Sequence, residues 1–472
     1  MIARRWAHAT SLGIAAVAAA LLSSACTEEH EPLKTEGMLD APADNTVSPA
    51  ATEQASEWRA IGFDYASTYF NSDETKLTRQ NTSQLQLAWR VDLGGEIYSA
   101  PLQVADKLYV SGPHDIRAFD AQSGNELWKF VEPTSSSLSF AEGALYIRTI
   151  QSDILALDAA TGLQLWRRRI DEQQTDGYGS VVAVADRLLV GASASAVELG
   201  SGKFRGYLAA LDRKRGDVLW TSYTVPETAN GAGIFSSPSA DVSARLAFGT
   251  TANNYGPPAT DTSDAIIAFD LDTGEIEWKF QAVANDVFNT GQGVDSPDYN
   301  FGANPVLYET EVEGKLTKLV TAGEKSGSIH AVRRDDGMRL WTRKLGAGSP
   351  DGSRGVMANT TWSGKNVLVA CNERDRSTLY ALHGATGGVI WRRKLAGMVW
   401  GRISVANGVG FVGNDNVLEA FDIDDGKVLY SHVTTGTIAG VITIANGRVA
   451  FGEGLDWLFG TRGSMLTVLA LP

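Results

Sequence analysis

Along residues 58–472 the apolar positions fall into short runs such as K-L-Y-V, R-L-L-V and R-L-A-F, each too brief for a helix and bounded by glycine or acidic turn residues. Further on in each unit comes a second pattern, shown whole in A-F-D-A-Q-S-G-N-E-L-W, A-L-D-A-A-T-G-L-Q-L-W and A-F-D-L-D-T-G-E-I-E-W. It reads as an apolar strand, a tight glycine turn, and a strand ending in an aromatic. A glycine stands four residues before the aromatic in seven copies: Gly124/Trp128, Gly162/Trp166, Gly216/Trp220, Gly274/Trp278, Gly337/Trp341, Gly387/Trp391 and Gly426/Tyr430. With the upstream run included, each unit holds about four strands, which is the content of a propeller blade.

An eighth aromatic, Trp89 in L-Q-L-A-W, has no glycine turn before it, and the C-terminal M-L-T-V-L-A-L supplies a third strand without a fourth. The two fragments complete each other. The expected fold is therefore all-β: an eight-bladed β-propeller of four-stranded antiparallel blades, with the N-terminal strand completing the C-terminal blade so that no sheet edge stays open. The repeated tryptophan is expected to pack between blades and to do no chemistry. Successive aromatics are 39, 38, 54, 58, 63, 50 and 39 residues apart, so four consecutive blades carry extra length. It falls around 192–206 and 251–263, between second and third strands, and around 283–303 and 347–360, between blades. In an up-and-down blade both kinds of loop emerge on one face, and loops longer than the repeat requires are where function concentrates.

Composition narrows the picture. Forty-nine glycines and twelve tryptophans suit many strands and tight turns. A formal net charge of -14, with no basic stripe, argues against nucleic acid as a partner. Arg4 and Arg5 precede the apolar run L-G-I-A-A-V-A-A-A-L-L and L-S-S-A-C, which reads as a signal peptide over 1–25 rather than a membrane span. The small residues before Cys26 resemble a lipobox, with Ser23 where leucine is usual, so Cys26 is the expected lipidated residue. Residues 26–57 are too poor in large apolar side chains to fold and are expected to tether the 58–472 propeller to a membrane of the cell envelope, on the periplasmic side or the outer surface. With Cys26 so used, Cys371 in V-L-V-A-C is left without an intramolecular partner and reads as a buried strand thiol.

The ordered loop motifs I-F-S-S-P-S-A-D, G-T-T-A-N-N-Y, T-S-D-A-I-I-A-F-D, F-Q-A-V-A-N-D-V-F-N, D-Y-N-F-G-A-N-P-V-L and A-G-E-K-S-G-S-I-H-A-V resemble the pyrroloquinoline quinone (PQQ) dehydrogenases, most closely their polyvinyl alcohol branch. The resemblance runs from Trp58 to the end. It implies PQQ in the central funnel, a calcium ion beside it, a small-molecule or polymeric alcohol as substrate, and a carboxylate to remove the alcohol proton. Residue by residue it implies Glu198 and Asn253 as calcium ligands, Lys325 against the quinone oxygen, and Phe235 as the stacking floor where tryptophan is usual. No C-x-x-C-H haem motif occurs, so electrons would leave to a separate acceptor.

One position departs from that pattern. Where the branch carries D-F-D-F-G, this chain reads D-Y-N-F-G, so the amide of Asn300 replaces the expected base. An amide can offer calcium an oxygen but has no basicity near neutral pH. Asp298 lies two residues away, and on an extended segment the two side chains would be roughly 6–7 Å apart, too far for one to replace the other. Two functions therefore stay open: a PQQ- and calcium-dependent oxidoreductase of secondary alcohols, and a non-catalytic envelope scaffold like the propeller lipoprotein of outer-membrane assembly.

Overall fold

The computed structural model describes residues 56–472 except 135, 174, 176–178, 199, 290–297, 349–353, 359 and 455–462. The expected signal peptide, Cys26 and nearly all of the tether lie outside the described residues. The strands form eight blades. The first is Leu102–Val104, Lys107–Ser111, Asp115–Asp120 and Glu126–Val131, and six more follow in chain order over 139–169, 182–223, 239–281, 306–344, 361–394 and 404–433. The eighth joins Thr443–Ala445, Arg448–Gly452 and Met465–Ala470 to Gln86–Asp92, with Gln86 opposite Ala470 and Asp92 opposite Met465. First strands of neighbouring blades approach one another and line the axis. In the first blade the three inner strands are almost wholly buried because neighbouring blades cover both faces, whereas the outer strand Glu126–Val131 alternates with solvent; the first hairpin of the fifth blade extends its tip into solvent.

The glycine–aromatic repeat has a steric origin. Each tryptophan lies on the turn glycine of the following blade: a Cβ added at Gly124, Gly162, Gly216, Gly274, Gly337, Gly387 or Gly426 would come within 2.5–2.8 Å of the ring of Trp89, Trp128, Trp166, Trp220, Trp278, Trp341 or Trp391. These glycines also have φ between +64° and +77°, which L-residues rarely adopt. Every outer strand carries a register shift just before its aromatic, as between Ala118 and Phe119 opposite Trp128. Such bulges twist the strand and swing the ring towards the next blade. Six indole N–H groups then donate across the gap at 2.8–3.1 Å, Trp220 to Leu271 O among them. Tyr430 ends the seventh blade, and the eighth has no turn glycine for it because its third and fourth strands are not consecutive in sequence.

Residues 56–77 form a plug inside the ring, which the blade pattern did not predict. Trp58 exchanges backbone hydrogen bonds with Gln103 of the first blade, and Arg59 O accepts from Phe140 N of the second (2.8 Å). Tyr65 O and Ala66 O accept from Ala240 N and Leu307 N of the fourth and fifth, at 2.7 and 2.9 Å. Thr68 O accepts from Trp362 N, Phe70–Asn71 pairs parallel with Val405–Ala406, and Asn71 Nδ2 donates to Ile444 O. The plug thus follows the ring in order, meeting the inner strands of seven blades. Phe63, Ser67 and Tyr69 have φ of 75°, 55° and 56°, a strain held by the half-buried Asp64 carboxyl, which accepts from Thr68 N and Thr68 Oγ1 at 3.0 and 2.9 Å.

Gly274→Ala forces a left-handed alanine against Trp220 and is expected to destabilise by about 2 kcal/mol or more in urea unfolding, while Gly256→Ala, where nothing lies within 4 Å, leaves the midpoint unchanged. Trp220→Ala is expected to cost about 3–5 kcal/mol. Burial raises Asp64 from 3.8 to about 6 against the pull of its Thr68 bonds. The folded state therefore holds this proton more tightly, and the Asp64 contribution is most favourable below pH 4 and falls as pH rises through about 6. Asp64→Asn keeps a hydrogen-bonding group without that penalty, so its stability relative to wild type is expected to rise by on the order of 3 kcal/mol between pH 4 and pH 7. A pH-independent difference in chemical denaturation contradicts this.

Candidate active site

Four long connections leave one face, at 193–206 and 251–264 within the third and fourth blades and at 282–305 and 345–360 leading into the fifth and sixth. Backbone pairs stitch the first three together by way of the connection between the third and fourth blades: Arg205 with Gly231, Gly231 with Asn254, and Asn254 with Val287. Glycine is needed where they cross, since a Cβ on Gly206 would lie 2.1 Å from Ala232 O and one on Gly231 2.6 Å from Tyr255 N.

The stitched loops bring most of the expected site residues together. Asn253 is fully buried and anchored by Nδ2 to Phe288 O (3.0 Å), and its Oδ1 accepts from Asn300 Nδ2 at 2.6 Å. The same Asn300 amide donates to Asp298 Oδ1 at 2.8 Å, and Lys325 Nζ lies 2.7 Å from Asp298 Oδ2. The expected separation of Asp298 from Asn300 is therefore wrong. Residues 298–303 are not an extended strand, so side-chain alternation does not apply, and the two side chains meet. Lys325 N also donates to Asn300 O at 3.1 Å, and the E-K-S-G turn is buttressed by Gly348 and Gly355, where a Cβ would lie 2.6 and 2.1 Å from Lys325 O.

Glu198 closes a four-residue helix, Ser195–Glu198, tied to the next loop by Asn289 Nδ2 donating to Val197 O at 3.1 Å. Its charge reaches Lys325. Burial works against the Lys325 ammonium, but Asp298, Glu198 and Asp264 outweigh it and hold the group above its ordinary value. Phe235 is half-buried at the entry to the fourth blade, outside the Asp298 hydrogen-bond cluster and linked to it through Ser236, Thr250 and Ala303. Cys371 is a buried strand thiol that burial pushes up to about 12, which leaves it unreactive.

Three acids of this face were not singled out in the sequence, although each sits in a quoted loop motif. Asp264 is fully buried and has φ of 51°, and among the described residues neither of its carboxylate oxygens has a hydrogen-bonding partner by geometry, the neighbouring Ser263 hydroxyl donating to Thr260 O. Burial first, and then the charge of Asp286, raises its carboxyl well above the usual range. Asp286 accepts from Tyr299 N, and Glu324 accepts from Ser326 Oγ at 2.5 Å and lies 3.3 Å from His330 Nε2.

Among the described residues no three His, Cys, Asp or Glu side chains form a metal cage by themselves. The donor set nevertheless suits a hard cation shared with a ligand. Asn253 Oδ1 and Asp298 Oδ1 converge on the Asn300 amide, whose own oxygen can replace its nitrogen by rotation, and calcium takes carboxamide and carboxylate oxygens alike. About six to eight ligands are needed, so bound cofactor oxygens would have to complete the shell.

Ring, plug and single-faced loops define a quinoprotein-type propeller. The family model described as outer membrane protein assembly factor BamB, a PQQ-repeat family, matches residues 37–280 and 325–469, and the chain belongs to that family. Polyvinylalcohol dehydrogenase of Sphingopyxis sp. (strain 113P3) is 28% identical over 89% of this chain and 73% of its own length. Quinohemoprotein alcohol dehydrogenase from Comamonas testosteroni shares the fold at a TM-score of 0.77, with 16% identity over 88% of this chain and 80% of that one. BamB from Moraxella catarrhalis does so at 0.59, with 16% identity over 82% and 99%.

Lys325→Met leaves Asp298 buried beside the Asn300 amide without a counter-ion and is expected to destabilise by about 3–5 kcal/mol. The double variant Lys325→Met/Asp298→Asn is expected to recover most of that loss in denaturant unfolding; strict additivity of the two single changes contradicts the pairing.

Proposed function

We propose that this protein is a quinoprotein-type dehydrogenase that oxidises alcohols, secondary alcohols among them, and passes the electrons to a separate acceptor. The carrying observation is the meeting of Asp298, Asn300, Asn253 and Lys325 beneath the stitched loops. Bound in this funnel, PQQ would supply the two-electron acceptor, with calcium as the Lewis acid beside it. Glu198, Asn253 and Asn300 would hold the calcium, Phe235 would give the cofactor a stacking surface, and Lys325 would face its oxygens.

Asp298, not Asn300, takes the alcohol proton. A carboxylate can accept it and an amide cannot. Asn300 Nδ2 fixes Asp298 Oδ1, and the Lys325 ammonium pairs with Asp298 Oδ2. Tyr299 N, held by Asp286, fixes the backbone between the two. Export as a lipoprotein anchored at Cys26 through residues 26–57 belongs to the same reading and rests on the sequence pattern.

A second reading, an envelope scaffold, draws on the description of the matching family and on the fold shared with BamB. Thermal unfolding with saturating PQQ and calcium separates the two, since a ligand bound by the native state alone raises the midpoint. The dehydrogenase is expected to be stabilised, and no shift at saturation favours the scaffold. In dye-linked turnover Asp298→Asn is expected to lose about 10²–10⁴-fold, with Asn300→Asp adding little. Full activity in Asp298→Asn together with a large gain in Asn300→Asp would return the base to position 300. Glu198→Gln is expected to weaken calcium-dependent PQQ retention in a folded protein, and equal retention removes Glu198 from the metal site.

A further inference from the structure

A belt of hydrogen bonds joins the blade entries at the loop face. Ala100 N donates to Ser137 Oγ, Ser137 N to Ser180 Oγ, and Ser180 N to Ser237 Oγ, each at 2.9–3.0 Å, so that a serine hydroxyl caps the preceding blade. At the fifth blade the pattern changes. Ser237 N donates to an amide, Asn304 Oδ1 (2.9 Å), and the longer side chain carries Nδ2 onward to the Tyr69 hydroxyl at 2.8 Å. Tyr69 and Asn304 are both fully buried, and Tyr69 belongs to the plug, its left-handed backbone fixed behind the Asp64–Thr68 clamp.

Asn304 is thus a junction of three pieces: the plug through Tyr69, the Phe235–Ser237 segment through the Ser237 amide, and the loop that carries Asp298 and Asn300 through its own backbone. Thr250 reinforces the second link, its hydroxyl lying 2.6 Å from Ser236 Oγ and 2.7 Å from Ala303 O. We infer that Tyr69 is a positioning residue: its hydroxyl, acting through Asn304, sets the register between the Phe235 segment and the Asp298–Asn300 loop. This inference takes the dehydrogenase reading as its frame, since that register would fix the acid relative to a stacked cofactor. Tyr69 touches neither and performs no proton transfer.

Tyr69→Phe removes one oxygen and keeps the packed ring. Hydrogen–deuterium exchange of the backbone amides is the primary readout. Exchange at Ser237 and across 298–304 is expected to quicken about tenfold, while Ala100 and Ser137, whose caps Ser137 and Ser180 lie farther along the belt, stay as in wild type. Asn304→Ser installs the cap used by the other blades, so it is expected to restore protection of Ser237 but not of 298–304. PQQ titrated with calcium is expected to bind about tenfold more weakly to both variants, with kcat reduced and KM for the alcohol nearly unchanged. Unchanged exchange at Ser237 and 298–304 in Tyr69→Phe overturns the inference whatever the cofactor does, as does a uniform rise over all blades, which would report a merely structural role. Wild type that shows the exchange pattern but binds no PQQ overturns the dehydrogenase reading and leaves Tyr69 as the organiser of this loop.

Discussion

The ring depends on the approach of an indole to a backbone that has no side chain. Each blade is wedge-shaped and can bury its three inner strands only against its neighbours, so its stability lies in the interfaces. The tryptophan and the glycine turn of the next blade fix that interface at the outer radius, where wedges would otherwise splay. Flat contact with main chain needs an absent Cβ, the left-handed turn needs glycine, and the indole N–H needs a carbonyl. The turn supplies all three, as Gly274 and Leu271 O do for Trp220. The bulge before each tryptophan explains the half-exposed leucines beside it, Leu127, Leu165 and Leu219, which the shift turns outward.

Closure uses two devices at different radii. Strand Gln86–Asp92 completes the eighth sheet by pairing with the C-terminal strand, which removes the open edges. The plug acts at the axis, where its carbonyls meet amides of successive inner strands. Eight short first strands cannot fill the axial space with side chains alone, and a segment of extended and left-handed residues supplies backbone partners that a regular strand could not direct around a circle. Conformational strain at Phe63, Ser67 and Tyr69 follows from that curvature, and it is tolerable because neighbours on all sides over-determine the path.

The parts of this architecture that were legible in the sequence are those with a repeated steric cause. Seven glycine–aromatic pairs and the orphan Trp89 sufficed for eight blades and for their closure, because each repeats one contact. Loop length sufficed for the face of the candidate site, since strand alternation forces both kinds of long loop to the same side. The plug was not legible: F-D-Y-A-S-T-Y has no period, and its partners are backbone groups in distant blades. The meeting of Asp298 with Asn300 was hidden for a related reason. Spacing along a strand has meaning only if the residues form one, and D-Y-N-F-G instead folds around the Asn253 amide and the Lys325 turn. Asp264 and Glu324 stood inside quoted motifs, but nothing in their spacing marks them as buried.

The charges beneath the loops bear on which function the fold serves. Asp298, Asp286, Glu324 and Asp264 are buried here, and the Lys325 ammonium pairs with Asp298 and feels the charge of Asp264. Each acid is handled differently. Asp298 has the lysine and an amide, Glu324 has a serine and a histidine, Asp286 has a backbone N–H, and Asp264 is pushed towards its neutral form. Burying so much acid disfavours the folded state unless it is compensated. Under the dehydrogenase proposal, a cation bound together with a polar cofactor would neutralise this excess of negative charge, and part of the cost of burying the acids would return as affinity for the ligand.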